Sequence, residues 1–180
     1  MLLWATTCFV EVSAGFAGVK NDIRVARRER RLPLRLAKSP DDVAAVLLHD
    51  LPRQYRHDLD WSIYADDITF DDPVTHLRGK LRYRGMIAVL RLLVAVAFVP
   101  HTCTFLVQRI SWDVSHVTTD WSSSGQTRWG SLVNISGTDI FHLTGPNKTS
   151  NAYQVRRHQS TWHQSPLQVW HSLWIPPTSH

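Results

Sequence analysis

Pro100 separates two kinds of sequence in this chain. From Gly79 to Phe98 the apolar set Tyr83, Met86, Ile87, Leu90 and Leu93 recurs at the helical period, which predicts one long helix. After Pro100, β-branched and aromatic runs alternate with Gly, Ser and Asn almost to the end, which predicts successive strands over 102–112, 115–121, 129–135, 138–144 and 153–162. Ahead of the long helix, Ser39-Pro40-Asp41-Asp42 offers a capping serine, a proline at the first helical position and an acid where a capping box needs one. Val43, Val46 and Leu47 then give that helix an apolar face, Leu51-Pro52 ends it, and a second short helix is expected over 53–61. Asp66 to Pro73 reads as a strand. Helices first and antiparallel strands afterwards predict an α+β domain, with about three N-terminal helices packed on one face of a strongly curved antiparallel sheet.

Charge separates the chain in a different place. Residues 1–38 hold 8 Lys/Arg and 3 acids, whereas residues 39–180 hold 12 Lys/Arg and 12 Asp, with no Glu. The net charge of +5 therefore belongs to the N-terminal segment, and the folded part has no electrostatic reason to seek nucleic acid. An arginine-rich, acid-poor leader reads as an organelle transit peptide, here toward a chloroplast, with a mitochondrial address or a cytoplasmic protein as alternatives. The expected organisation is a disordered basic tail at 1–38, one domain at 39–176 and a short tail at 177–180. Cys8 and Cys103 cannot form a disulfide framework. The apolar stretch from Gly85 to Pro100 is interrupted by Arg91 and is shorter than the roughly 20 residues of a bilayer span. The histidine spacings give no metal site, and no nucleotide or hydrolase motif is present, so neither metal nor cofactor is expected.

The densest chemistry lies in Tyr64-Ala65-Asp66-Asp67-Ile68-Thr69-Phe70-Asp71-Asp72-Pro73. Strand alternation puts Ile68, Phe70 and Asp72 on one face, and the two apolar residues mark that face as inward. A carboxylate carried into apolar surroundings has its charged form disfavoured, which suits a general base near neutral pH. The same Asp72 could instead pair with Arg78 or cap the segment after Pro73.

Tyr64-Ala65-Asp66-Asp67, Phe70, Asp72-Pro73, Arg78-Gly79 and Tyr83 resemble the SnoaL-like superfamily, whose fold is the nuclear-transport-factor-like cone. Within it, the chain is most similar to an uncharacterised family of plants and algae whose members occur alone or ahead of a SOUL-type haem-binding domain. The resemblance implies a cone with an apolar cavity, lined here by Tyr64, Phe70, Tyr83, Phe105, Phe141 and Trp162, with Arg78 and His158 beside it. It places Asp72 where ketosteroid isomerases of the superfamily carry the catalytic base, and Asp139 where they carry a protonated oxyanion-hole acid. The tyrosine donor those enzymes have on the first helix is missing, since the matching positions are Leu47-Leu48-His49. The expected function is therefore binding of a small apolar ligand or a protein partner, the alternative being a proton-transfer enzyme with Asp72 as base and Asp139 or Tyr83 as donor. A homodimer through the outer sheet face around Ile140 is a further expectation.

Overall fold

The computed structural model describes residues 37–146 and 151–174. The leader expected at 1–38 lies outside them except for its last two residues, and so does the 177–180 tail. Ala37, which the sequence assigns to the leader, is buried, and its carbonyl accepts a backbone bond from the Tyr153 amide (2.7 Å).

The first helix, α1 (Pro40–Asp50), starts where the sequence places it. The Asp42 amide donates to Ser39 Oγ (3.2 Å) and the Ser39 amide donates to Asp42 Oδ2 (3.1 Å), so two otherwise orphaned N–H groups are satisfied reciprocally. Ser39→Ala removes one of these bonds, and a loss of about 1 kcal/mol in urea unfolding is expected.

The helix expected over 53–61 does not form. Single 3-10 turns at Leu51–Arg53 and Trp61–Ile63 flank an irregular segment. Side chains take the backbone groups a helix would have used. Asp50 accepts from the Asp60 amide (2.6 Å), and Asp60 accepts from the Ser62 amide (3.0 Å). Arg91 donates from Nε to the Gln54 carbonyl (2.8 Å) and from Nη2 to the His57 carbonyl.

Strands β1 (Tyr64–Asp71) and β2 (His76–Arg78) form a hairpin that leads into α2 (Lys80–Ala97). Strands β3 (Thr104–Trp112), β4 (His116–Gln126), β5 (Leu132–Thr144) and β6 (Gln154–Trp162) follow, and α3 (Pro166–Trp174) ends the described chain. The sheet order is β2-β1-β6-β5-β4-β3. All neighbours are antiparallel except β1 and β6, which run parallel. The α+β class expected from the sequence is thus the observed one, with a mixed sheet and with the third helix at the C-terminal side. Register breaks between Val107 and Arg109 and between His142 and Leu143 bend the sheet.

The two strands expected at 129–135 and 138–144 are one strand, because Gly137 marks a close approach rather than a turn. The Trp121 ring lies over it, and a Cβ there would stand 2.7 Å from Trp121 Cζ2 and closer still to the Thr161 carbonyl oxygen. Val43, Leu47, Ile63, Tyr64, Ile68, Val117, Phe141 and Val155 fill the space between sheet and helices.

Helix α2 is buried on a narrow strip only. Tyr83 and Ile87 face the core, while Val89, Leu92, Leu93 and Val96 are 57%, 62%, 48% and 59% exposed. No helix of the described residues is long and apolar enough to cross a membrane. The cations at the start of α2 oppose its dipole and call for acidic neighbours. Asp66 supplies one, 2.8 Å from Lys80, and Asp58 another, 3.7 Å from Arg84. On the outer sheet face Ile140 stands between Thr118 of β4 and Gln159 of β6, so the expected apolar patch there is one side chain among polar neighbours.

Candidate functional site

Most of the residues singled out from the sequence meet at one place in the interior. Tyr83 of α2, His158 of β6, Asp139 of β5 and Trp121 of β4 form a buried polar line across four elements, with exposures of 2%, 5%, 5% and 7%. The Tyr83 hydroxyl and His158 Nδ1 are 2.7 Å apart. On the other side of the imidazole, Nε2 lies 3.3 Å from Asp139 Oδ2, an ion-pair distance without the alignment of a hydrogen bond. Trp121 Nε1 donates to Asp139 Oδ1 at 2.8 Å. Burial and then the nearby tyrosine and carboxylate push the Tyr83 phenol well above its ordinary range, so it remains an O–H donor to Nδ1. The imidazole thus meets the Tyr83 hydroxyl at Nδ1 and the Asp139 carboxylate at Nε2, the placing of the proton on Nε2 being inferred from these partners.

Aromatic rings close around this line. Phe141 stacks on His158 with centroids 4.2 Å apart, and Phe70 stacks on Tyr83 at 5.2 Å. Tyr64 meets Tyr83 edge-on at 5.6 Å, and burial raises its phenol in the same way. Tyr64, Phe70, Tyr83, Phe141, His158 and Asp139 are thus brought together, but as packed core. In geometry the line resembles an acid–base relay, yet its members are almost wholly removed from solvent. What it does is tie α2 to three strands through two hydrogen bonds and one ion-pair contact.

Asp72 and Arg78 are not members of this line, although Asp72 is within electrostatic reach of His158. Strand β1 ends at Asp71, so the alternation that would carry Asp72 inward stops one residue short. The half-buried Asp72 instead accepts through Oδ1 from the amides of Val74 (2.8 Å) and Thr75 (2.6 Å), organising the turn into β2. Desolvation raises its pKa, against the lowering effect of those two amides. The rise that burial was expected to cause is thus present, and the carboxylate also caps the turn, the other role the sequence allowed it. Arg78 is exposed on β2 opposite Thr69, and Trp162 is half-buried at the end of β6 opposite Gly137.

Among the described residues, an open pocket lies elsewhere. A pocket of about 300 Å³ sits between the C-terminal half of α2, α3 and strands β4 and β5. Leu90, Leu93, Val94, Ala97 and Phe98 form one wall, Val133 and Ile135 another, and Trp170, Leu173 and Trp174 a third. Its polar side chains are those of Tyr55, Cys103, Ser123 and Ser124, with the Tyr55 and Ser123 hydroxyls 2.8 Å apart. Burial pushes the Tyr55 phenol up and the Cys103 thiol up, so both stay uncharged at neutral pH. None of the cavity residues expected from the sequence lines this pocket. Phe105 comes nearest: it meets Tyr55 edge-on at 5.9 Å and stacks on Trp121 at 5.2 Å, forming the layer between pocket and buried line.

The sequence reading missed this pocket because it missed α3. A signal was present in Ser165-Pro166-Leu167-Gln168, a serine cap, a first-position proline and a glutamine three residues on. The structure closes that box: the Gln168 amide donates to Ser165 Oγ (3.3 Å) and the Ser165 amide donates to Gln168 Oε1 (3.1 Å).

The fold is that of NTF2-like proteins. An NTF2-like protein of unknown function from Cytophaga hutchinsonii superposes with a TM-score of 0.51 at 8% identity, covering 66% of this chain and 93% of its own. A protein from Jannaschia sp. CCS1, named as a SnoaL-like polyketide cyclase, gives a TM-score of 0.51 at 13% identity, covering 75% of this chain and 92% of its own. These likenesses speak for the architecture alone. No protein of curated function matches the chain. The family model described as an uncharacterized conserved protein, DUF2358, matches residues 41–151. That match spans more than half of the sequence, and the chain accordingly belongs to the DUF2358 family, built on the NTF2-like, SnoaL-like cone.

Proposed function

We propose that this protein binds a small lipophilic molecule between α2, α3 and the sheet, and that binding rather than catalysis is its task. The observation that supports this reading is the pocket of about 300 Å³ whose walls are Leu, Val, Ile, Phe and Trp side chains. Its size is at the small end of the ~300–1,000 Å³ range of ligand sites, and apolar walls with few polar groups are their usual composition. A catalytic reading has less to draw on, because Asp72 caps a turn and the Asp139–His158–Tyr83 line is sealed by its neighbours. Kinship with the plant and algal proteins that also occur ahead of a SOUL-type haem-binding domain belongs to the same reading.

Native mass spectrometry and thermal denaturation of the full chain, with medium-chain and aromatic lipophiles, test it. A ligand at about one hundred times its Kd adds roughly 2.7 kcal/mol to stability. Leu93→Trp, at a wall position that is 48% exposed, fills the pocket and is expected to abolish the effect while the protein stays folded. Asp72→Asn is expected to leave it unchanged. Absence of stoichiometric binding across the panel, or binding indifferent to Leu93→Trp, overturns the proposal.

A further inference from the structure

The polar groups of the pocket carry an inference about the class of ligand, and it rests on the reading just given. The lining residues include no Lys, Arg, His, Asp or Glu. The two titratable groups among them, Tyr55 and Cys103, are both held in their neutral forms by burial. The polar atoms are concentrated on the inner wall, where the Tyr55 and Ser123 hydroxyls face each other at 2.8 Å and Ser123 is only 8% exposed. A pair of hydroxyls can rotate to donate one bond and accept another. Ser124, the fourth polar residue of the lining, shares its hydroxyl with Thr104 at 3.0 Å. The outer rim offers no compensating charge either, because Leu93, Trp170 and Trp174 are 48%, 63% and 41% exposed there.

Arg56 lies behind this wall, and its charge lowers the Cys103 thiol against the larger effect of burial. Arg56 Nη2 reaches the Cys103 carbonyl at 3.5 Å, on the backbone side of that residue. An ionised group drawn into such a site would lose its hydration with no charged side chain in the lining to pair with, which is strongly unfavourable. An uncharged oxygen would find both a donor and an acceptor.

We propose that the pocket selects lipophiles whose single polar group is an uncharged oxygen, an alcohol, aldehyde or ketone, inserted toward Tyr55 and Ser123, over carboxylates of the same chain length. The test compares decan-1-ol, decan-2-one, decane and decanoate at pH 7.5, read by native mass spectrometry and by quenching of tryptophan fluorescence. The alcohol and ketone are expected to bind at least about tenfold more tightly than decanoate, the discrimination a buried unpaired charge imposes. They are also expected to bind more tightly than decane, and Tyr55→Phe/Ser123→Ala should remove that second difference while decane binding persists. Decanoate binding as tightly as the alcohol overturns the proposal and leaves the pocket reading intact, as does an alcohol preference unchanged in the double variant. Failure of all four probes overturns both.

Discussion

Asp139→Ala is expected to cost about 3 kcal/mol of stability, the loss from leaving buried donors without their acceptor. The substitution leaves Trp121 Nε1 without its 2.8 Å acceptor and His158 Nε2 without the carboxylate 3.3 Å away. Both donors are then stranded in a core only a few per cent exposed, where water cannot replace the lost oxygen. In a domain of this size the melting temperature should fall by roughly 10 °C or more. Asp139→Asn keeps an acceptor for Trp121 and the same volume, but turns an N–H toward the imidazole. It is expected to lose about 1–2 kcal/mol, the penalty of a single mismatched buried donor. Urea unfolding of the three proteins measures the order. An alanine variant within about half a kcal/mol of the parent would show that the line across α2, β6, β5 and β4 bears no weight in the fold.

Gly137→Ala and Gly85→Ala should move stability in opposite directions. At Gly137 the added carbon meets the Trp121 ring at 2.7 Å and the Thr161 carbonyl closer still. The obstacle on one side is backbone, which cannot rotate away, so a loss of about 3 kcal/mol is expected, the upper end of overpacking effects. At Gly85, inside α2, a Cβ would have nothing within 4 Å. Alanine there removes the conformational freedom of glycine in the unfolded chain and should add about 0.5–1 kcal/mol. Chemical denaturation of both variants decides. Equal, small effects at the two positions would mean that Trp121 does not lie on the β5 backbone.

The parts of this protein that could be read before its structure are those written locally. The Ser39 cap, the period of α2 and the onset of strand after Pro100 depend on neighbours a few residues apart, and each element stands where the sequence places it. Alternation within a strand placed Phe70, Asp139 and Phe141 on the inner face correctly for the same reason. At Asp72 a single residue decides between strand and turn, so alternation alone did not show which of its possible roles the carboxylate takes. The segment 53–61 failed because Arg91, more than thirty positions later, claims its carbonyls. Trp121 as the partner of Asp139 needed the β4–β5 register, and the pocket needed α3 brought beside β5. Neither is contained in any local pattern.

The parallel pairing of β1 with β6 carries a consequence for how the chain matures during synthesis. Asp71 and Arg157, joined at 2.9 Å across that pair, are 86 positions apart. Until β6 has left the ribosome, the β1–β2 hairpin has no partner on its other edge and β5 ends the remaining strands with a bare one. The loop that must close is long and its entropy is lost before any contact rewards it. Closure of the full sheet during synthesis therefore waits for β6, and a nascent chain stalled ahead of residue 154 would present two unpaired strand edges to whatever chaperone is nearby.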